Sequence, residues 1–419
     1  MDTARDRLRR LLDHLEDSLR PEGLVESETL GRRALEWKTI PRPPLLLCYP
    51  FPQRAELEPF PHGSTFVDPA KHLYNELVYA FETSIALNLE LGCDLALSIR
   101  PNFGIGLVSS VLGARVEQIE DNPPWVRPFA SRSELMRVFE RDTAEVNAGG
   151  WLPRVVETYQ FFDQAVSPYP RLSRHLKRVL PDLQGPFDNY ELVRGSEAFT
   201  DFYTDPDLLR DGLALTAQVQ IAAAQALLSF TTDHGEGFSL QHGVPIKGNI
   251  LVRNDSAVML SPESYREMIA PHDGAVIGAL GGGGIHSCGD IGHQMQNYLD
   301  VRELSCIDLG QGLLNDREEL YRLAETNQVA LVRMEATEDE LTTGRVLEMF
   351  PTGVSLMHRC DSFEKARDIL GAYHRAAERR SRSAESRSRG PDPRSPAPEP
   401  NGRGPERTSR TPEGRSEDL

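Results

Sequence analysis

The second half of the chain alternates short apolar segments with helical segments, and this alternation restricts the folds open to it. Four apolar segments end at Cys288, Asp308, Glu335 and Cys360, and a helical pattern follows each of them. Strands that alternate with helices at this spacing are typical of βαβ units on a parallel sheet. We therefore predict an α/β fold, a (β/α)₈ TIM barrel, in which the carboxyl ends of the strands face one mouth.

Composition divides the 419 residues into three regions. Residues 1–40 are predicted to form an N-terminal helical extension, because leucines recur on one face of the segment. Residues 41–380 hold the strand and helix patterns of the barrel. Residues 381–419 are rich in Ser, Arg, Pro, Gly and Glu, and Leu419 is their only large aliphatic or aromatic residue. Such a segment buries too little apolar surface to offset the entropy of ordering it, so we predict a disordered tail.

Charge and cysteine usage restrict the location and the partners. The formal net charge of −17 disfavours nucleic acid and an anionic membrane, since both require a basic face. No apolar run approaches the roughly twenty residues of a membrane-spanning helix. Five cysteines, an odd number, do not indicate a disulfide framework. These features predict a cytoplasmic protein with reduced thiols.

A glycine run at residues 281–284 leads into the most informative pair, His286 and Cys288. Alternate residues of a strand point to the same face, so an imidazole and a thiol would lie side by side. Zinc binds nitrogen and sulfur, and a catalytic zinc site needs about three protein ligands. Cys360 ends a later strand and is the predicted third ligand, although a cysteine there is also typical of a small buried residue. Cys306 is expected to be buried within a strand.

Other strand ends carry polar residues. Arg100 and Asn102 follow an apolar segment and are candidates for binding an anionic group of a substrate. Asp255 ends the segment that precedes a capped helix, where function concentrates in barrels, and is a candidate catalytic residue.

A glycine-punctuated segment contains three further polar residues, His234, Glu236 and His242. A metal or substrate role is conceivable for them. Their irregular spacing favours a solvated loop instead.

Several of these motifs together resemble the uroporphyrinogen decarboxylase superfamily. The resemblance rests on Asn254-Asp255, on the segment from Leu260 to Tyr265 with Pro271, and on His286-Ser-Cys-Gly289. It covers the second half of the chain clearly and extends weakly into the first half. It implies the same (β/α)₈ barrel that the alternation predicts.

One branch of that superfamily is the methylcobalamin:thiol methyltransferases of the coenzyme M type. His286, Cys288 and Cys360 match the order and spacing of their zinc ligands. The resemblance implies zinc, a corrinoid (methylcobalamin) as methyl donor, presented free or by a corrinoid protein, and a small thiol as acceptor. Cobalamin-independent methionine synthase uses a comparable zinc set with an acidic ligand from the next strand, and Asp308 lies near that position.

The other branch is the decarboxylases of porphyrin metabolism, which require no metal. Their arginine-rich N-terminal motif and their Phe-Ser-Asp strand end are missing here, where residues 32–37 and 97–99 read RRALEW and LSI. His358, however, sits where those enzymes carry a histidine, and it is a candidate catalytic residue. Decarboxylation therefore stays open as an alternative, as does a non-enzymatic module that binds a corrinoid or a metal.

Overall fold

A computed structural model describes residues 3–80, 83–139, 149–232 and 237–388. The chain divides into two compact units, Met1–Ala377 and Glu378–Leu419. The last helix continues to Ser388, so residues 381–388 of the predicted tail are helical. The rest of that tail, residues 389–419, lies outside the described residues, as do His234 and Glu236.

Within these ranges the structure has twelve strands. They are β1 Leu45–Cys48, β2 Ser98–Ile99, β3 Arg115–Glu117, β4 Trp125–Arg127, β5 Lys177–Arg178, β6 Phe238–Gln241, β7 Val244–Lys247, β8 Ile250–Arg253, β9 Gly283–Ser287, β10 Leu304–Leu309, β11 Ala330–Glu335 and β12 Val354–Arg359.

Six of the strands form one parallel sheet in the order β1-β12-β11-β10-β9-β8. The predicted α/β class with a parallel sheet is thus confirmed. The first strand of the chain pairs with the last, and β2 and β5 form a separate parallel pair. Because all six strands run in the same direction, their carboxyl ends lie at one edge.

Helices connect and cover these strands, and each of them in the described ranges is too short or too polar to span a lipid bilayer. Their bounds are Ala4–Ser18, Pro21–Leu35, His62–Thr65, Pro69–Val78, Ile85–Leu91, Leu107–Val111, Arg132–Phe139, Leu152–Val166, Pro170–His175, Pro186–Arg194, Glu197–Thr204, Pro206–Leu228, Pro262–Ser264, Ala270–Ala279, Met295–Leu299, Arg317–Asn327, Glu338–Thr343, Val346–Met349 and Phe363–Ser388. A π-helical turn, Tyr265–Ile269, joins two of them.

The N-terminal region is helical, as its leucine pattern predicts. Its first helix, Ala4–Ser18, begins at a capping box on Thr3 and packs against the helix Pro69–Val78. The leucines at positions 8, 11, 12, 15 and 19 are all buried in an apolar cluster that includes residues of that helix. Burial of an apolar stripe, rather than helix propensity, stabilises such a helix.

Two strands, β6 and β7, form an antiparallel hairpin that lies against the large sheet. Its turn is His242-Gly243, with φ of 49° and 77° at the two residues, as two-residue hairpins require. At the base of the hairpin, the Ser305 hydroxyl oxygen lies 2.5 Å from the carbonyl oxygen of Lys247 and 2.8 Å from that of Gly283, and its one hydrogen is shared between them. The base therefore lies beside the amino ends of β9 and β10, and the tip extends along β10.

Candidate metal centre

Strand β9 and the residue after it present His286 and Cys288 at the edge where the parallel strands end. The His286 side chain is buried and the Cys288 side chain is partly exposed, with Sγ 3.7 Å from His286 Nε2. The period of two along a strand places both on one face, as predicted. Gly310, at the end of β10, makes this possible: a Cβ there would lie 2.6 Å from Cys288 Sγ.

Asp255, just beyond β8, completes a group of three unlike ligands. Its Oδ1 lies 3.4 Å from His286 Nε2 and accepts a hydrogen bond from the Cys288 amide at 3.1 Å. One ligand atom from each of Asp255, His286 and Cys288 lies within 4.8 Å of the others. An oxygen, a nitrogen and a sulfur thus converge at the ends of two adjacent strands.

Asp188 holds Asp255 in this place from a neighbouring helix. Its two carboxylate oxygens accept hydrogen bonds from the amides of Asp255 at 2.9 Å and Ser256 at 3.3 Å. Burial, followed by the charge of Asp255, raises the pKa of Asp188 well above its usual range. The turn that begins at Asp255 therefore has its first two amides capped by a buried side chain.

Asp308 lies on the other side of the His286 ring. Its Oδ2 accepts from His286 Nδ1 at 3.1 Å and from His242 Nδ1 at 2.8 Å. The Arg333 guanidinium donates to both oxygens, at 2.6 Å from Nε and 3.0 Å from Nη2. Three of these four contacts fall on Oδ2, so protein donors already occupy the oxygen that faces His286.

A bulge in β11 directs Arg333 to this carboxylate. The register between β11 and β12 shifts between Leu331 and Met334, and Arg333 has a φ of 54°. An extra residue in one strand turns a side chain to the other face. The alternation that sequence reasoning applies to a strand does not anticipate this, and Arg333 was not among the predicted site residues.

The charges around the His286 ring are strongly coupled. Burial lowers the pKa of His286, but the charge of Asp308 and hydrogen bonds to Asp255 and Asp308 outweigh it and raise the pKa well above its usual value. Burial raises the pKa of Asp308, but the charges of Arg333 and His286 lower it well below its usual range. Burial raises the pKa of Asp255, but hydrogen bonds from His286 and Cys288 leave it below the usual value.

Cys360, the predicted third zinc ligand, is absent from the groups of potential ligands that the described residues form. It is buried, and its amide donates to the carbonyl of Cys48 at 2.8 Å. Burial raises the pKa of the Cys360 thiol to about 12. The residue of β12 that faces the site is its neighbour Arg359, which pairs with Glu335 at 3.1 Å and lies 3.5 Å from the carbonyl of Gly310.

The structure places His358 apart from the three-ligand group. Its Nδ1 donates to the carbonyl of Ala336 at 2.7 Å, and its side chain is partly exposed. This contact connects β12 to the end of β11. No described contact joins His358 to His286 or Cys288.

Arg100 and Asn102, the predicted substrate-binding residues, follow β2, where Arg100 is buried and Asn102 is partly exposed. Arg100 is buried, and burial lowers its pKa although the acids Asp182 and Glu76 lie close to it. The backbone amide of Asn102 donates to His72 Nε2 at 2.8 Å. Arg100 therefore belongs to a buried group of charges that already contains its counter-ions.

His242 is the residue that sequence reasoning placed wrongly. The side chain favoured as part of a solvated loop is 5% exposed, and it donates to Asp308 from the tip of the β6–β7 hairpin. The sequence does contain an indication of this position: His242-Gly243 lies between two short apolar segments, and this pattern is typical of a two-residue hairpin turn.

Comparison with protein-family models and with curated proteins gave no match. Among solved structures, the chain shares its fold with a methyltransferase from Methanosarcina mazei, with a TM-score of 0.58. The match covers 85% of this chain and 99% of that chain, at 14% sequence identity. At this identity the likeness concerns the fold, and this chain is therefore similar in architecture to that methyltransferase.

Proposed function

We propose that the chain is a zinc-dependent methyltransferase of the uroporphyrinogen decarboxylase superfamily, which transfers a methyl group from a methyl-corrinoid to a thiol. The observation that carries the proposal is the convergence of Asp255, His286 and Cys288, whose ligand atoms lie within 4.8 Å of one another. Oxygen, nitrogen and sulfur donors together suit zinc better than magnesium or calcium, which prefer oxygen alone.

The spacing of these atoms supports zinc as the bound metal. Zinc bonds of about 2.0–2.3 Å in a tetrahedral arrangement separate neighbouring ligand atoms by about 3.3–3.7 Å. The two separations from His286 Nε2 are 3.4 Å to Asp255 Oδ1 and 3.7 Å to Cys288 Sγ. We therefore assign Asp255, rather than Cys360, as the third ligand, and Asp308 as the carboxylate that orients His286.

The residues of the chain prepare this site for a thiol. Asp308 holds one proton of His286 on Nδ1, and Nε2, which would give up its own proton to bind zinc, faces Asp255 and Cys288. Zinc bound there would leave a fourth position for the thiol and would stabilise its nucleophilic thiolate form. In the overall reaction a sulfur–carbon bond forms and the carbon–cobalt bond breaks with its electron pair left on cobalt, while the thiol proton passes to solvent.

We further propose that the six-stranded sheet and the pair β2–β5 are arcs of one (β/α)₈ barrel. Together they contain eight strands, which are parallel within each of the two sheets, and β1 lies beside β12, which a closed ring requires. Hydrogen bonds between the arcs support the proposal: the amide of Asp94, shortly before β2, donates to Leu45 in β1 at 3.0 Å. The candidate metal centre would then lie at the carboxyl-terminal mouth.

Elemental analysis of the purified protein tests the proposal. We expect one zinc per chain in the wild type, as in a catalytic site with three protein ligands, lost in Cys288→Ser and in Asp255→Asn but retained in Cys360→Ser. The zinc-loaded protein is then incubated with methylcobalamin and a panel of small thiols, and the S-methyl product is detected by mass spectrometry.

Two results would change the proposal. Loss of zinc in Cys360→Ser but not in Asp255→Asn would restore the ligand set that the sequence resemblance implies. A wild-type protein without zinc would overturn the methyltransferase assignment and direct the assay to porphyrinogen substrates, with His358 as the residue to substitute.

A further inference from the structure

The tip of the β6–β7 hairpin places His242 next to Asp308, the carboxylate that binds His286 in the candidate metal centre. The hairpin base lies beside the amino ends of β9 and β10, while its tip contacts Asp308 near the carboxyl end of β10. The carbonyl of Gly243 accepts from the amide of Ala96 at 2.8 Å and fixes the tip from the other side. The hairpin thus places the His242 imidazole against the Asp308 carboxylate.

His242 contacts both Asp308 and His286. Its Nδ1 donates to Asp308 Oδ2, the same oxygen that accepts from His286 Nδ1. The two imidazole rings meet edge to face, with centroids 5.4 Å apart and planes at 76°. On its far side, His242 Nε2 lies 3.3 Å from the Arg253 guanidinium, so Nε2 accepts while Nδ1 donates.

The backbone at His242 adopts a conformation that few residues tolerate. Its φ of 49° is in the left-handed region, where a residue with a Cβ is disfavoured. Glycine or asparagine would satisfy such a turn at lower cost. A buried histidine in this conformation, with both ring nitrogens in contact with charged side chains, indicates a role beyond the turn itself.

We propose that His242 is a positioning residue for the metal centre: it fixes the Asp308 carboxylate, and through Asp308 the His286 ring, so that His286 Nε2 faces Asp255 and Cys288. The inference rests on the metal site of the proposed function. Such outer contacts orient a metal-binding histidine and typically change metal affinity by about 10–100-fold. Without His242, Arg333 would be the one remaining side chain that fixes the Asp308 oxygen bonded to His286.

The obvious alternative, a second metal held by His242, His286 and Asp308, conflicts with the contacts. These three side chains do present ligand atoms within 4.8 Å of one another. The Arg333 guanidinium, however, binds both oxygens of Asp308, and its positive charge repels a second cation there. The nitrogens that face the carboxylate are donors, not free lone pairs.

Two substitutions of His242 distinguish the effect of its hydrogen bond to Asp308 from the effect of the space that its ring fills. In His242→Asn the amide nitrogen occupies the place of Nδ1 and can still donate to Asp308, and asparagine tolerates the left-handed turn. In His242→Leu the donor is lost while an apolar side chain of similar size remains. Lys247→Ala, at the exposed base of the same hairpin, is the matched control.

The first readout is zinc affinity, measured by competition with a chromogenic chelator. We expect His242→Leu to bind zinc about tenfold more weakly than the wild type, and His242→Asn and Lys247→Ala to bind it within about twofold. Equal affinities in all four proteins, or equal loss in the Asn and Leu variants, would overturn the proposal.

The second readout is the tautomer of His286, from nitrogen-15 NMR of histidine-labelled protein recorded at a pH above the raised pKa of this ring, where the ring is neutral, with His286→Gln identifying the signal. We expect a single Nδ1–H form in the wild type and in His242→Asn, and a mixture of forms in His242→Leu. An unchanged His286 signal in His242→Leu would refute the positioning role. Because the signal is also measured in metal-free protein, a wild type that binds no zinc would overturn the proposed function and still leave this inference testable.

Discussion

Gly310 shows how little space surrounds the candidate metal centre at the level of a single residue. An added Cβ would lie 2.6 Å from Cys288 Sγ, closer than real Cβ atoms approach a neighbour, and 3.1 Å from His286 Cε1, which is tighter than most real contacts. We expect Gly310→Ala to displace the thiol, so that the protein loses most of its zinc and at least about tenfold in methyl transfer, which corresponds to about 1.4 kcal/mol. Elemental analysis and the methylcobalamin assay measure both effects.

Gly274→Ala is the matched control for this substitution. Gly274 lies in the helix Ala270–Ala279, and the nearest atom to its added Cβ would be Val301 Cγ1 at 3.8 Å. Alanine is favoured over glycine in a helix by about 1 kcal/mol, so this variant should be as stable as the wild type or more stable, with its zinc retained. Full zinc occupancy in Gly310→Ala would contradict the geometry of the site.

At the level of elements, one buried carboxyl group attaches the helix Ala270–Ala279 to the end of β8. Asp273 Oδ2 accepts from Asn254 Nδ2 at 2.5 Å and from the Tyr265 hydroxyl at 2.6 Å. Burial raises the pKa of Asp273 from 3.8 to about 7, against the lowering effect of these two hydrogen bonds. Since Asn254 precedes Asp255, this contact also supports the metal centre.

The raised pKa predicts a pH-dependent stability. The folded protein holds the Asp273 proton more tightly than the unfolded chain, so its contribution to stability is complete below about pH 4, decreases as the pH rises and is lost above about pH 7. We expect the difference in unfolding free energy between wild type and Asp273→Asn to fall by roughly 2 kcal/mol between about pH 5 and pH 7. Urea unfolding at several pH values measures it.

Asp300→Asn, a substitution of an exposed aspartate, is the control for the loss of one negative charge. A difference between wild type and Asp273→Asn that stays constant across this pH range would show that the carboxyl titrates as in the unfolded chain. The hydrogen bonds to Asn254 and Tyr265 would then hold an ionised group.

At the level of the whole molecule, the metal centre joins β8 to β9, so metal binding should stabilise the entire fold. A ligand that binds only the folded state adds about 2.7 kcal/mol when present at a hundred times its Kd. We expect zinc to raise the Tm of the wild type by several degrees and a chelator to reverse the change. Cys360→Ser should respond in the same way, and Cys288→Ser should not respond.

The dependence of the Tm on zinc distinguishes the ligand set that includes Asp255 from the one that includes Cys360, without an activity assay. A zinc-dependent Tm in Cys288→Ser would show that the metal binds elsewhere in the chain. A Cys360→Ser protein that no longer responds would indicate that Cys360 reaches the metal when zinc is bound.

The sequence determined those features that depend on neighbouring residues. Alternating strand and helix patterns predicted the parallel α/β fold, and the His-x-Cys spacing placed His286 and Cys288 on one face, because alternation along a strand is a local property. The leucines of the first helix are likewise buried as their spacing predicts.

Only the tertiary structure decided which distant residues join that pair. Asp255 meets His286 because β8 pairs with β9, whereas Cys360 ends a strand three places away in the sheet order. His242 reaches Asp308 because a hairpin folds back along β10. Arg333 reaches the same carboxylate because a bulge reverses its side chain. Strand order, hairpin placement and bulges arise from the packing of the whole chain, and no local pattern of residues specifies them.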